Sequence, residues 1–223
     1  MNVSLNPRKT DIRAIAICCA LYFILGFITW ANGTLIPFLK LSLDLDTDLQ
    51  AFFVTFSSYI AYFFLALPSS WILKKIGFHN GLVVSLVILG IGALIFIPAA
   101  DHRSYALFLT AIFVQGSEMA LLQTAINQYL SIIGPIDSVA QRMSVVGFFN
   151  KSAGIIAPVL LGTLFLKDAA QVTARLNAAV DAVTRESILS ELLQRVHTPY
   201  IALAVLFVSF AVFLKFTRLP EVD

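Results

Sequence analysis

Six long apolar segments, separated by short breaks that carry charge, glycine or proline, set the main constraint on the fold of this chain. They run over residues 11–39, 49–73, 80–99, 104–133, 141–166 and 199–216. A membrane-spanning helix needs about 20 residues, so each segment is long enough to cross a bilayer. In lipid, such a segment has to be helical in order to satisfy its own backbone groups. The pattern predicts an all-α membrane protein with six transmembrane helices.

The composition fits a lipid environment. Hydrophobic residues make up 59% of the 223 residues and charged residues 13%, against about 45–50% and about 25% in soluble domains. These values argue against a disordered chain, a secreted disulfide scaffold and a soluble enzyme. The net charge of +2 is too small to indicate nucleic-acid binding. Cys18 and Cys19 are adjacent and no metal-ligand spacing is present, so we expect no disulfide and no metal site.

Lysine and arginine residues are distributed unevenly between the two ends of the segments. If the N-terminus is cytoplasmic, eight of them fall in cytoplasmic segments, namely Arg8, Lys9, Arg13, Lys74, Lys75, Arg142, Lys215 and Arg218. The short loops on the opposite side hold only Lys40 and Arg103. By the positive-inside rule, we expect a multi-pass protein of the cytoplasmic (inner) membrane with both termini in the cytoplasm. Residues 1–10 are then a cytoplasmic tail.

The connection between the fifth and sixth segments, residues 168–197, is charged but periodic. Apolar residues recur in it at spacings of mostly three or four, at Val172, Leu176, Val180, Val183, Ile188, Leu192 and Val196. This period predicts one or two amphipathic helices. We expect them to lie on the outer membrane surface or against the bundle; docking of a partner is the alternative.

The fourth segment carries the largest number of polar side chains. On a helix, Gln115, Gln123 and Asn127 fall within about 120° of one another, which predicts a polar stripe that lines a wet cavity. Glu118 projects nearly opposite Asn127. Because Lys151 lies at a similar depth in the antiparallel fifth segment, and a lone charge there is costly, we predict a Glu118–Lys151 ion pair. The pair either only joins two helices or also takes part in substrate binding or gating.

The first segment holds Trp30 and Asn32 toward its outer end. An indole and an amide together suit a sugar, because the indole covers apolar C–H groups and the amide bonds hydroxyls. The alternatives are that Trp30 anchors the segment at the membrane interface and that Asn32 caps a bend around Gly33. Asn32 and Asn127 occupy comparable places in the first and fourth segments, which favours two inverted three-helix repeats.

Four stretches of sequence resemble a known family. They are residues 28–39, ITWANGTLIPFL; residues 68–77, PSSWILKKIG; residues 119–135, MALLQTAINQYLSIIGP; and residues 137–151, DSVAQRMSVVGFFNK. With the six segments, they make the chain similar to the N-terminal half of a major facilitator superfamily sugar transporter. The resemblance is to the fucose–galactose–glucose:proton symporter family, and within it to the glucose/galactose branch.

The resemblance implies a six-helix bundle over residues 11–217 and the start of a central cytoplasmic linker over residues 218–223. Family members have twelve spans and hold the sugar between two six-helix halves, so a C-terminal half is the implied partner. The implied function is secondary active uptake of a hexose, glucose or galactose, by alternating access. Gly33 and Gln123 stand where fucose permeases carry acids. The coupling ion, proton or sodium, is therefore unassigned, and no other cofactor is expected.

The resemblance also suggests roles for individual residues. The sugar-binding candidates are Trp30, Asn32, Gln123 and Asn127, with Asn150 and Lys151 supporting the fourth segment. The inner loop with Lys74, Lys75 and Gly77 corresponds to the family's cytoplasmic gate. Two other functions stay open: transport of another small solute by a carrier of the same superfamily, and a truncated fragment that transports nothing. No catalytic residue is expected, because no nucleophile elbow, phosphate loop or metal spacing is present.

Overall fold

The computed structural model describes residues 11–45 and 47–217, and the regular structure in these two ranges is helical. Its eight α-helices are α1 (Ile12–Ser42), α2 (Asp48–Ile76), α3 (Phe78–Asp101), α4 (Tyr105–Ile132), α5 (Val139–Phe165), α6 (Ala169–Ala178), α7 (Ala182–Gln194) and α8 (His197–Phe216). A short 3₁₀ helix, Ile136–Ser138, precedes α5. The tail expected at residues 1–10 and the linker expected at residues 218–223 lie outside the described residues.

Six helical stretches in the described part are long and apolar enough to cross a membrane. They overlap the six predicted segments, which correspond to α1–α5 and α8, so the all-α fold class is confirmed. Polar residues cap the starts of the first two helices. Asp11 accepts from the backbone of the first turn of α1, and Thr47 forms a capping box with Gln50 before α2.

Helices that are consecutive in the sequence are not always neighbours in the bundle. The most extensive packing joins α1 to α5, α4 to both α2 and α3, and α3 to α8, whereas α4 and α5 touch only slightly. The short loop between α4 and α5 is held by Arg142, which is buried and donates to the carbonyl oxygens of Leu130 at 2.9 Å and Pro135 at 3.0 Å. Arg142 therefore binds the end of α4 instead of being a free cytoplasmic charge.

Two glycines mark places where a helix comes close to the backbone of its neighbour. A Cβ atom on Gly26 of α1 would lie 2.5 Å from the backbone oxygen of Asn150 on α5. A Cβ atom on Gly116 of α4 would lie 2.4 Å from the backbone oxygen of Ser58 on α2. If α1–α3 form one repeat and α4, α5 and α8 the other, then α1 corresponds to α4 and α2 corresponds to α5. The α1–α5 contact at Gly26 then corresponds to the α4–α2 contact at Gly116. This is the relation expected for two three-helix repeats.

The segment between α5 and α8 forms two helices, α6 and α7, that pack on one end of the bundle. Its apolar residues Val172, Leu176, Ile188, Leu192 and Val196 are buried. Val180 and Val183 are exposed, although they belong to the same predicted period. The reason is the break between α6 and α7, which interrupts the helical register.

Ion pairs attach α7 to the loops at this end of the bundle. The Arg185 guanidinium donates to both carboxylate oxygens of Asp44, with distances of 2.7–3.2 Å. The next residue, Glu186, accepts from Arg103 at 3.0 Å. Asp44 and Arg103 both have a positive φ, 53° and 48°. Two adjacent residues of α7 thus bind the α1–α2 loop and the α3–α4 loop at once.

We predict that Gly116→Ala destabilises the bundle. The added methyl group meets the backbone of α2, which cannot move like a flexible side chain, and overpacking of this kind costs about 1–3 kcal/mol. The measurement is the free energy of unfolding in detergent micelles titrated with SDS. The matched control is Gly162→Ala on α5, where a Cβ atom meets nothing within 4 Å. Equal stability of the two variants would contradict the close α2–α4 packing.

We predict that Arg185→Gln and Asp44→Asn each lower the thermal stability and that the double variant loses no more than either single variant. Asparagine is used because it tolerates the left-handed backbone of position 44. A partly exposed pair of this kind has a coupling energy of about 0.2–1 kcal/mol. The measurement is a double-mutant cycle by thermal unfolding. Additive losses would show that α7 and the α1–α2 loop are not coupled.

Candidate functional site

An open cavity of about 650 Å³ lies between α1, α2, α4 and α5. Its polar lining comprises Tyr22, Thr29, Asn32, Thr55, Ser58, Tyr59, Tyr62, Gln123, Asn150 and Lys151, with Trp30 beside them. A concave surface with convergent polar groups among apolar ones is typical of a small-molecule site. The cavity lies along the membrane-spanning part of the bundle, because its lining residues come from turns between the two ends of each of the four helices.

Two tyrosines that line this cavity pair with amides of α4, one of which, Gln123, also lines the cavity. Tyr62 Oη of α2 donates to Gln123 Oε1 at 3.0 Å, and Tyr22 Oη of α1 donates to Asn127 Oδ1. Gln123 and Asn127 are four residues apart, so they share one face of α4. Each amide accepts through its oxygen, which leaves its NH₂ group as a donor for another molecule. The phenolic oxygens keep lone pairs that can accept.

A third pair of the same kind joins α1 and α2. Asn32 Nδ2 donates to Ser58 Oγ at 3.4 Å, and Asn32 is 9% exposed. Its Oδ1 atom has no hydrogen-bond partner among the described residues. Asn32, a residue of the cavity lining, therefore carries an unpaired acceptor, and its role in sugar binding stays a prediction.

Asn150 lines the cavity, but it does not support α4 as expected. Its Nδ2 atom donates to the backbone oxygen of Tyr22 at 3.2 Å, so it joins α5 to α1. The close approach at Gly26 brings these two helices together. Because α1, and not α4, is the main packing partner of α5, the expected support of α4 by Asn150 is corrected to support of α1.

Trp30 and Lys151 lie next to each other on the cavity surface. The Lys151 Nζ atom lies 5.6 Å from the centroid of the Trp30 ring, within the range of a cation–π contact. A Cβ atom on Gly154 would lie 2.8 Å from Trp30 Nε1, so the indole packs directly on the backbone of α5. Trp30 is still 43% exposed and offers part of its surface to the cavity.

The predicted Glu118–Lys151 ion pair is not formed. Glu118 is 1% exposed, and neither of its carboxylate oxygens has a hydrogen-bond partner in the described part of the chain. Lys151 is instead exposed beside Trp30. The prediction assumed that consecutive antiparallel segments pack side by side. In the structure, α4 and α5 contact each other only slightly, and the main packing partner of α5 is α1.

Gln123 of the predicted stripe lines the cavity, whereas Asn127 and Gln115 are not among its lining residues. Gln115 lies against α3 instead. It is 1% exposed, and its Cγ atom lies so close to α3 that a Cβ atom on Gly92 would be 2.8 Å away. Only Gln123 and Asn127 of the stripe face the tyrosine hydroxyls. The 3.6-residue period places all three on one broad side of α4, and the position of α3 then divides that side.

The predicted gate residues lie at the end of α2, away from the cavity. Lys74 and Lys75 are exposed, and the Lys75 Nζ atom lies 3.7 Å from the centroid of the Trp71 ring. Gly77 ends α2 with a φ of 80°, a conformation that favours glycine. The geometry is that of a tight turn between two spans, and the gate role stays a prediction.

The sequence prediction missed Tyr22, Tyr62 and Ser58, which supply the hydroxyls of the three pairs. In an apolar segment these residues add little to a polar pattern. The signal that could have found the tyrosines is physical, since a buried phenol needs a hydrogen-bond partner. A tyrosine in mid-span therefore predicts an amide or carbonyl nearby.

Comparison with known proteins shows which family and which relatives this chain resembles. The model of the Major Facilitator Superfamily matches residues 18–222. A glucose/galactose transporter of Brucella abortus (strain 9-941) is 36% identical over 225 residues, covering 98% of this chain and 51% of that protein. The L-fucose-proton symporter of Escherichia coli (strain K12) is 27% identical, covering 98% of this chain and 50% of that protein.

A crystal structure of the E. coli fucose:proton symporter has the same arrangement of helices, with a TM-score of 0.79 at 25% sequence identity. It covers 96% of this chain and 51% of that one. The chain thus spans about half the length of the curated relatives it matches. The family and these relatives are transporters, not enzymes, and the six apolar helical stretches make this an integral multi-pass membrane protein. The chain belongs to the Major Facilitator Superfamily.

Proposed function

We propose that this chain is the N-terminal half of a carrier that takes up a hexose, glucose or galactose, by alternating access. The observation that supports the proposal most strongly is the set of three amide–hydroxyl pairs in which the lining residues Tyr22, Tyr62 and Ser58 supply the hydroxyls. In such a carrier, two bundles rock about a site near the middle of the membrane. The relatives named glucose/galactose transporter and L-fucose-proton symporter favour a sugar over other solutes.

The amides and phenols of the cavity suit the hydroxyl groups of a sugar. A hexose hydroxyl both donates and accepts, so it matches an amide NH₂ group, an amide oxygen or a phenol equally well. We propose that Gln123 and Asn127 donate to the sugar and that the unpaired Oδ1 atom of Asn32 accepts from it. The exposed part of the Trp30 indole would cover C–H groups of the ring.

The second wall of the cavity would come from a C-terminal six-helix half. This part of the proposal is supported by the openness of the cavity in the six-helix bundle and by the coverage of about half of each relative. The orientation with both ends in the cytoplasm of an inner membrane is also a proposal. It is supported by Arg13, Lys74, Lys75 and Lys215, which the topology places at one end of the bundle.

We predict that Gln123→Ala raises the half-saturating concentration for hexose uptake about tenfold. The change removes a hydrogen bond to the sugar and leaves the Tyr62 hydroxyl unpaired, and the net loss of one to two bonds corresponds to this factor. The assay is uptake of radiolabelled galactose by cells that lack their own hexose carriers and express the chain joined to its proposed second half.

The matched control is Gln128→Ala, on the same helix but outside the cavity lining. It should leave uptake close to that of the unchanged carrier, and Asn127→Ala should behave like Gln123→Ala. Unchanged uptake and unchanged sugar affinity in both Gln123→Ala and Asn127→Ala would overturn the proposed sugar site.

We predict that glucose and galactose accumulate against their gradients and that fucose accumulates less. The coupling ion is proposed to be a proton or sodium, so vesicles receive a pH gradient and a sodium gradient in separate experiments. One of the two gradients should drive accumulation. If no hexose accumulates under either gradient, while the protein is correctly inserted, the function of hexose uptake is wrong.

A further inference from the structure

Lys151 is a charged residue in the middle of a membrane-spanning helix. Twelve residues of α5 (Val139–Phe165) precede it and fourteen follow it. Its side chain lines the cavity between α1, α2, α4 and α5. A cation at this depth is costly, and such residues face a cavity and pair with an anion or with carbonyl groups.

No counter-ion for Lys151 is present in the part of the chain that the structure describes. Lys151 is the one charged residue among the residues lining the cavity. The ion pairs found in residues 11–45 and 47–217 all involve loop or terminal-helix residues at the α6–α7 end. Glu118, the one acid within α4, is buried elsewhere. The Trp30 ring, 5.6 Å from Nζ, orients the ammonium group but carries no negative charge.

We propose that Lys151 is a carboxylate-binding group in this cavity. An ammonium group is a compact charge with three donors, and a carboxylate satisfies it through charge-assisted hydrogen bonds. Two sources can supply that group: the carboxylate of a sugar acid bound in the cavity, or an acidic side chain of the second six-helix half. The inference rests on the proposed function, because both sources require a carrier with this cavity.

The fluorescence of Trp30 can report whether the carboxylate comes from a bound sugar acid. The chain has two tryptophans, so Trp71→Phe leaves Trp30 alone beside the Lys151 ammonium. The purified protein is titrated with D-glucuronate and with D-glucose, which differ by the carboxylate, and Trp30 fluorescence is recorded. If the carboxylate belongs to the ligand, glucuronate binds about tenfold tighter or more. Lys151→Gln should remove this difference, and Lys151→Arg should retain it.

Chemical acetylation tests the second source. If the carboxylate belongs to the second half, glucuronate has no advantage. Lys151 is then acetylated rapidly in the six-helix chain alone and slowly when the chain is joined to the second half. Mass spectrometry measures both rates, and the exposed Lys167 is the control whose rate should not change.

The outcomes separate this inference from the function on which it rests. Glucose binding without a glucuronate preference, together with equal acetylation of Lys151 in both forms, overturns the role of Lys151 and leaves the sugar carrier intact. Absence of binding by both ligands counts against the proposed sugar site, and the acetylation rates still decide whether Lys151 meets a carboxylate of the second half.

Discussion

The cost of an unsatisfied polar group in lipid governs this structure. A backbone or side-chain group without a partner in the hydrocarbon region loses several kcal/mol, so the six spans are helical and their polar side chains collect where they can pair. Gly26 and Gly116 let α1 approach α5 and α4 approach α2 closely. The α2–α4 approach brings Tyr62 within reach of Gln123, and the α1–α5 approach brings Asn150 within reach of the Tyr22 backbone. The cavity wall is a consequence of that pairing.

The same constraint explains why the polar residues of the bundle have different roles. Three amides, those of Gln123, Asn127 and Asn32, each use one polar atom in a hydrogen bond with a hydroxyl group. The other polar atom of each amide stays available as a donor or acceptor, which suits reversible binding of a small polar molecule. Arg142 is satisfied by carbonyl groups at the α4–α5 turn and is structural. Lys151 differs from all of them, because its charge has no anion within the described bundle, and this is the observation behind its proposed role in carboxylate binding.

The fold could be predicted from the sequence because apolar length and the helical period are local properties. The candidate site could be predicted only in part. Gln123 and Asn127 follow from the face of one helix, but the tyrosine partners depend on which helices pack together. The prediction of a Glu118–Lys151 ion pair was wrong for that reason. The depth of a residue in the membrane follows from residue counting, whereas its lateral position in the bundle depends on close contacts such as those at Gly26 and Gly116.

The central claim is that a hexose binds against the wall formed by α1, α2 and α4. Photolabelling with a diazirine derivative of glucose, followed by peptide mapping, tests it most directly. A hexose bound there gives adducts within residues 22–33, 55–62 and 119–127, and these adducts are lost when excess unlabelled glucose competes. Adducts confined to residues 168–197 or to α8, or adducts that excess glucose does not reduce, would contradict it.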